Sequence, residues 1–175
     1  VIVLYLIILQ LFMVGQSKDL QTQQTTQNLK GYFWELGLLK SNNTMKAFIL
    51  CAGECTRLRP YTNLKHKCLI KLYDEVKIID VQIQSLIACG IKDIIIAVGF
   101  YGNKIIHYLN EKYLGVNFTY VENTKYKSTN CIYSMWLARK HLNEDLIFLT
   151  GDLIFEKSLI PFMIESKNKN LIYVN

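Results

Sequence analysis

The stretch Lys46–Pro60, KAFILCAGECTRLRP, decides how the rest of the chain is read. Lys46–Cys51 is a short apolar run with β-compatible residues, and turn-forming residues follow at once. Such a run, bounded on the right by small and polar residues, is the pattern of a buried parallel strand opening into a loop. The loop holds Ala52, Gly53, Glu54, Cys55, Thr56 and Arg57 before Pro60. Small residues directly after a buried strand let the backbone turn tightly, so that successive free N–H groups form a concavity suited to an anion. Thr56 adds a hydroxyl donor, and Arg57 adds a planar cation matched to phosphate oxygens.

Downstream of this stretch, strand-like and helix-like segments alternate. Ile78–Cys89 has apolar residues at helical spacing and stops at Gly90, a natural C-terminal cap. Asp93–Val98 reads as the next strand, Asn103–Leu114 as an amphipathic helix and Val116–Val121 as a strand. The polar loop Glu122–Thr129 leads to a helix over Asn130–Leu142, then a strand at Leu146–Thr150 that ends on Gly151-Asp152. Leu159–Lys167 reads as helical, and Leu171–Val174 as the start of another strand. This alternation predicts an α/β fold: a mostly parallel central sheet between helical layers, a Rossmann-like three-layer sandwich. In such sheets ligands bind at the carboxyl ends of the strands, the edge to which both distinctive loops belong.

Upstream, the character is different. Val1–Val14 is almost wholly apolar, but fourteen residues fall short of the roughly 20 that span a bilayer. Membrane association is therefore not expected, though this segment alone leaves it open. Gln16–Lys30 is a Gln/Thr-rich tract unable to bury apolar surface, the composition of a connector. Residues 1–44 are thus set apart as an extension, and a domain is expected over 45–175.

The chain carries 20 Lys and Arg against 14 Asp and Glu, a formal net charge of +6. The basic residues are scattered singly, which argues against a nucleic-acid groove and suits a solvated surface or a pocket for a small polyanion. Five cysteines, an odd number without a CxxC pair, read as reduced thiols of a reducing, cytoplasmic compartment. The spacing of the cysteines and the three histidines suggests no zinc site, so any metal is expected to be a hard ion such as Mg2+ on oxygen ligands.

Three further positions stand out. Lys67 lies where a polar stretch turns apolar, and from there it can reach back over the loop as a point charge on phosphates. Asn130 is placed to cap its helix, and Ser134 lies one turn later on the same face. Asp152 directly follows an apolar strand at the ligand edge, where a carboxylate can hold Mg2+ against phosphate oxygens. Glu54 and Lys71 read as solvated side chains, and Trp136 as a core residue.

The segment from Ala47 to Asp80 resembles the opening of the sugar nucleotidyltransferases, A-G-x-G-[TS]-R-L-x-P followed by a P-K-x-L segment and a helix. Ala52, Gly53, Thr56, Arg57, Leu58, Pro60, Thr62, Lys67, Leu69 and Asp80 carry the match. Tyr126, Thr129, Asn130, Ser134 and Ala138 are similar to a segment of bacterial phosphocholine and related cytidylyltransferases. The resemblance implies a nucleoside triphosphate wrapped by Ala52–Arg57 with Lys67 on its phosphates, Asn130 and Ser134 near base or ribose, and Asp152 as a Mg2+ ligand. It implies transfer of a nucleoside monophosphate to a small phosphorylated acceptor with release of pyrophosphate, and a further C-terminal portion bearing acceptor contacts and a second metal ligand. The chain departs from the pattern at Cys55, where the family has a second glycine, and at His66, where it has proline. Cysteine adopts left-handed backbone angles less readily than glycine, so Cys55 is expected to alter the loop.

Overall fold

A computed structural model describes residues 45–167 and 170–172. Its centre is a four-stranded parallel sheet of β1 (Lys46–Cys51), β4 (Asp93–Val98), β5 (Asn117–Glu122) and β6 (Leu146–Thr150), in the order β5-β4-β1-β6. Strand β1 is central, pairing Phe48 with Ile95 on one side and with Phe148 on the other. That position explains its composition: Ala47, Phe48 and Ile49 have no exposure, because both faces of a central parallel strand are covered. Strand β4 is buried from Ile94 to Val98 for the same reason.

Helices α1 (Ile78–Ala88), α2 (Gly102–Lys112), α3 (Cys131–Ala138) and α4 (Leu159–Glu165) flank the sheet. One face is sealed by Ile79, Ile83 and Leu86 of α1, Ile105 and Leu109 of α2, and Ile160 of α4. The other face has a smaller core of Phe48, Ile95, Ala97 and, from α3, Ala138. The result is helix, sheet and helix in three layers.

Helix α1 shows how local sequence fixes an element. Asp80 accepts the Lys77 backbone N–H at 2.8 Å, satisfying a donor that the first turn leaves free. At the other end Gly90 N donates to Ile87 O and Ile91 N to Leu86 O, with Gly90 at φ 78°, a Schellman cap. Asp80 is wholly buried and also accepts hydrogen bonds from Tyr108 Oη, Tyr113 Oη and Lys112 Nζ, which tie α1 to α2. The cation and three further donors offset the cost of burying this carboxylate.

Several boundaries differ from expectation. Helix α3 stops at Ala138 and tightens into a 3-10 turn at Arg139–His141 instead of running to Leu142. A short antiparallel hairpin, β2 (Lys71–Tyr73) with β3 (Val76–Lys77), precedes α1. Its turn uses Asp74 at φ 43°, a conformation aspartate tolerates better than most side chains. Leu171 and Ile172 lie outside regular structure, and the rest of the strand expected there lies outside the described residues. Val1–Val14 and the polar tract after it also lie outside them. Among the described residues no helix is long and apolar enough to cross a membrane.

Candidate active site

The loop after β1 is braced from below and open above. Ala52 is buried, and its carbonyl accepts the Phe100 N–H at 3.0 Å. Gly99 packs so closely on it that a Cβ would lie 2.6 Å from Ala52 O, which is why β4 is followed directly by glycine. Around Gly53, by contrast, a Cβ would meet nothing within 4 Å, so that stretch of backbone faces open space. Cys55 holds the left-handed conformation, φ 59° and ψ 32°. The chain thus keeps the backbone path of a glycine with a side chain added. Two contacts hold it there: Cys55 Sγ lies 3.2 Å from Gly53 O, and buried Thr62 donates to Cys55 O at 2.8 Å. Thr56–Leu58 form one 3-10 turn. Thr56 and Arg57 are exposed there, and the Arg57 guanidinium has no carboxylate partner among the described residues. Glu54 keeps 31% of its side chain exposed and pairs with Arg59 at 3.0 Å on the surface. Lys71 pairs with Glu75 on the surface.

Lys67 begins a second 3-10 turn, Lys67–Leu69, capped by His66, whose Nδ1 accepts the Cys68 N–H. From this turn Lys67 Nζ reaches Asp152 Oδ2 at 2.7 Å. The pair sits at the carboxyl edge of the sheet, beside the loop after β1, with the Lys67 side chain 21% and the Asp152 side chain 40% exposed. Burial alone would raise the Asp152 carboxyl, but hydrogen bonds from Lys67 and Thr150 overcome it and hold the carboxyl below the ordinary carboxylate range. Burial, and then the Lys67 charge, push His66 down to about 4 against the opposing pull of the Gly53 carbonyl and Asp152.

The segment carrying Asp152 is fixed from beneath. Gln82 Nε2 of α1 donates to both Thr150 O and Leu153 O at 2.9 Å. Gly151 is required because a Cβ there would fall 2.4 Å from Cys51 Sγ and 2.9 Å from Leu50 O. Neither role is stated by the motif letters. Gln82 left a usable signal, since it is the polar residue on the helix face otherwise formed by Ile79, Ile83 and Leu86. Thr62 and His66 lie within the matched segment, but their burial is a tertiary fact.

Beyond β5, Asn130 caps α3 by accepting the Tyr133 N–H at 3.3 Å. Ser134 is 2% exposed, and its hydroxyl accepts from Asn123 Nδ2 at 2.9 Å. Asn123, itself buried, also donates to Thr129 Oγ1 and accepts from Lys125 N. As placed, Asn130 and Ser134 order the loop and helix, and Ser134 does not turn its hydroxyl to solvent. Trp136 is not a core residue: it is 52% exposed, stacked on Tyr133, with the Arg139 guanidinium 4.0 Å over its ring.

The structure therefore brings the loop after β1, Lys67 and Asp152 to one edge of a parallel sheet. Known proteins are similar to the chain in sequence and in fold. A CTP:phosphoglutamine cytidylyltransferase of Campylobacter jejuni is 31% identical over 137 residues, covering 75% of this chain and 53% of that protein. A choline-phosphate cytidylyltransferase of Streptococcus pneumoniae is 38% identical over 112 residues, covering 64% and 47%. A solved structure of a Streptococcus pneumoniae CTP:phosphocholine cytidylyltransferase superposes with a TM-score of 0.56 at 38% identity, over 65% of this chain and 47% of that one. A solved putative glucose-1-phosphate thymidylyltransferase of Bacillus anthracis superposes at 0.61 with 27% identity, over 70% and 50%. The chain spans about half the length of these two curated relatives. The family model described as nucleotidyl transferase matches residues 46–174, and the chain belongs to that family.

Proposed function

We propose that the chain is the nucleotide-binding part of a nucleotidyltransferase that moves CMP from CTP to a small phosphorylated acceptor of the phosphocholine kind, releasing pyrophosphate. The observation that carries the reading is the 2.7 Å contact between Lys67 and Asp152 beside the braced loop after β1. It supports a role for Lys67 as the cation on the phosphates and for Asp152 as the carboxylate on a metal. The choice of CTP rests on two relatives named as cytidylyltransferases.

In this reading the backbone of Ala52–Thr56 cradles the triphosphate, and the exposed Arg57 closes on its oxygens. Lys67 exchanges its bond to Asp152 for one to the phosphates. The acceptor phosphate is already ionised and attacks the α-phosphorus without a side-chain base, so the protein acts by alignment and by neutralising charge that grows on the leaving pyrophosphate. The residues present fit Mg2+, which binds through one or two carboxylates together with substrate phosphates. Asp152, part exposed and kept ionised, would hold it, and the ion would supply charge neutralisation between phosphate oxygens. Asn130 and Ser134 shape the wall of the site through the α3 cap and the Asn123 network.

The test is pyrophosphate release from CTP, UTP, GTP and ATP, each with phosphocholine and with sugar 1-phosphates. CTP-dependent release with phosphocholine is expected, and no release with any pair would overturn the enzyme reading. A second reading, transfer to a sugar 1-phosphate, is favoured by a relative from Haloferax volcanii named a UTP–glucose-1-phosphate uridylyltransferase, 30% identical over 115 residues. The same assay separates the two.

A further inference from the structure

Beneath the triphosphate loop lies a cluster that the proposed reaction does not use. Cys51 ends β1, and His66 and Cys68 belong to the turn that carries Lys67. One donor atom of each lies within 4.8 Å of the others, and none of the three residues has any exposure. His66 Nε2 is buried, and the Gly53 carbonyl that pulls on its proton does not reach hydrogen-bond geometry. Unpaired buried polar atoms are rare in folded proteins, and each calls for an account.

We propose that Cys51, His66 and Cys68 form a binding site for one thiophilic d10 cation, with Zn2+ as its representative. Two sulfurs and one imidazole are the donor set of such an ion, not of Mg2+. With bonds of roughly 2.3 Å to sulfur and 2.0 Å to nitrogen, tetrahedral zinc sets its donors about 3.5–3.8 Å apart. The separations here, all within 4.8 Å, exceed that by at most about 1.0–1.3 Å, within reach of side-chain rotation. Binding is balanced by loss of the two thiol protons to solvent, while the imidazole stays neutral. Ligation through Nε2 moves the ring proton to Nδ1 and gives up the 3.2 Å hydrogen bond from Cys68 N. A Cys51–Cys68 disulfide is the rival use of the two sulfurs, but it leaves His66 Nε2 unaccounted for, and thiols this deeply buried are poorly placed for exchange. The ion would clamp the end of β1 to the Lys67 turn. The proposal stands apart from the assignment of CTP or acceptor.

The experiment titrates the full chain, reduced and stripped by chelator, with Zn2+ alone and with Co2+ as its coloured substitute. One Zn2+ per chain is expected, with a rise in Tm. Co2+ should give sulfur-to-metal charge-transfer absorption that Zn2+ abolishes. Cys51→Ser and Cys68→Ser should lose that absorption, and His66→Asn should weaken Zn2+ binding. Cys89→Ser and Cys131→Ser should bind as the unaltered chain does. Because a core serine can unfold the chain, thiol alkylation of the unaltered chain, in urea just below its unfolding midpoint where buried thiols open transiently, serves as a second readout: Zn2+ should protect Cys51 and Cys68 and leave Cys131 reactive. The proposal fails if the unaltered chain binds no stoichiometric Zn2+, if Cys89→Ser or Cys131→Ser abolishes binding, or if His66→Asn binds unchanged. It also fails if the reagent reaches Cys51 and Cys68 equally with and without Zn2+.

Discussion

Lys67 Nζ and Asp152 Oδ2 meet at 2.7 Å although 85 residues separate them in sequence. One residue lies just after the loop that follows β1, and the other lies just after β6, the neighbour of β1 in the sheet. Parallel pairing of Leu50 with Thr150 puts the two loops side by side. The lysine, together with Thr150, thus holds the Asp152 carboxyl below its ordinary range despite part burial. Lys67→Met should raise the Asp152 carboxyl pKa, read by NMR titration of its carboxyl carbon. An unchanged titration would show that Thr150 alone sustains the charge. The pair is partly exposed and worth only about 0–1 kcal/mol of stability. Turnover should fall by about 100-fold or more if the charge acts on the reacting phosphates. A large loss of activity with a near-constant Tm is the expected signature.

Cys55 sits where the family motif has glycine and keeps glycine's backbone angles. Left-handed backbone costs an ordinary side chain roughly 1–2 kcal/mol, partly offset because glycine has more freedom to lose on folding. Cys55→Gly should therefore leave stability equal or improve it by up to about 1 kcal/mol. Cys55→Val should lower it, because a β-branched residue fits this conformation worst. Urea midpoints of the three proteins check the order. A valine variant as stable as the glycine one would mean that the loop abandons this conformation.

These two cases mark where the sequence is legible. The period of apolar residues placed β1, β4 and β6 at the bounds the structure shows, because buried parallel strands are read from composition alone. The C-terminal end of α3 and the β2–β3 hairpin were not legible, since a helix yielding to a 3-10 turn and a two-residue strand depend on local angles, not on apolar spacing. At the site, Gly53, Arg57, Lys67 and Asp152 stood out as chemistry-bearing types at a strand edge. The anchoring roles of Thr62 and Asn123 did not, because a polar side chain that pins a loop shows its role only once its hydrogen-bond partner is in place. The spacing of cysteines and histidines does not show that the turn carrying Lys67 folds His66 and Cys68 back onto Cys51, 15 or more residues away in sequence.

Gly151 and Gly99 offer a matched pair of steric tests. Alanine at 151 would meet Cys51 Sγ at 2.4 Å and Leu50 O at 2.9 Å, whereas alanine at 99 would meet the Ala52 carbonyl at 2.6 Å. Overpacking of this kind costs typically about 1–3 kcal/mol. Both Gly151→Ala and Gly99→Ala should lower the unfolding midpoint by that order. The nearest obstacle at 151 is a side chain, so Cys51→Ala should recover part of the loss in a double variant. The residual Leu50 O contact keeps the recovery incomplete. For Gly99 the obstacle is backbone, and Cys51→Ala should recover nothing. Equal rescue of both would show that the destabilisation comes from something other than these contacts.

The last prediction concerns acid. His66 is held near 4 in the folded chain, whereas an unfolded histidine titrates near 6.5. Between those values the unfolded chain binds the extra proton, so stability rises with pH across the window and is lost as pH falls through it. Above pH 6.5 both states are neutral and His66 contributes no slope. At about 1.4 kcal/mol per pH unit the full window is worth on the order of 3 kcal/mol. Asp152 and Asp80, both held below the usual carboxylate range, add their own losses only at lower pH, as each approaches protonation. Their contribution is present above the unfolded aspartate value near 3.9 and disappears beneath it. His66→Asn separates the two regimes. Asparagine can accept the Cys68 N–H in the same i to i+2 pattern but carries no proton to titrate. Its urea-unfolding free energy should be nearly flat from pH 6.5 to 4.5, where the unaltered chain loses stability steadily, and both should fall together below pH 4. Parallel slopes for the two proteins across the upper window would assign the acid sensitivity to another group.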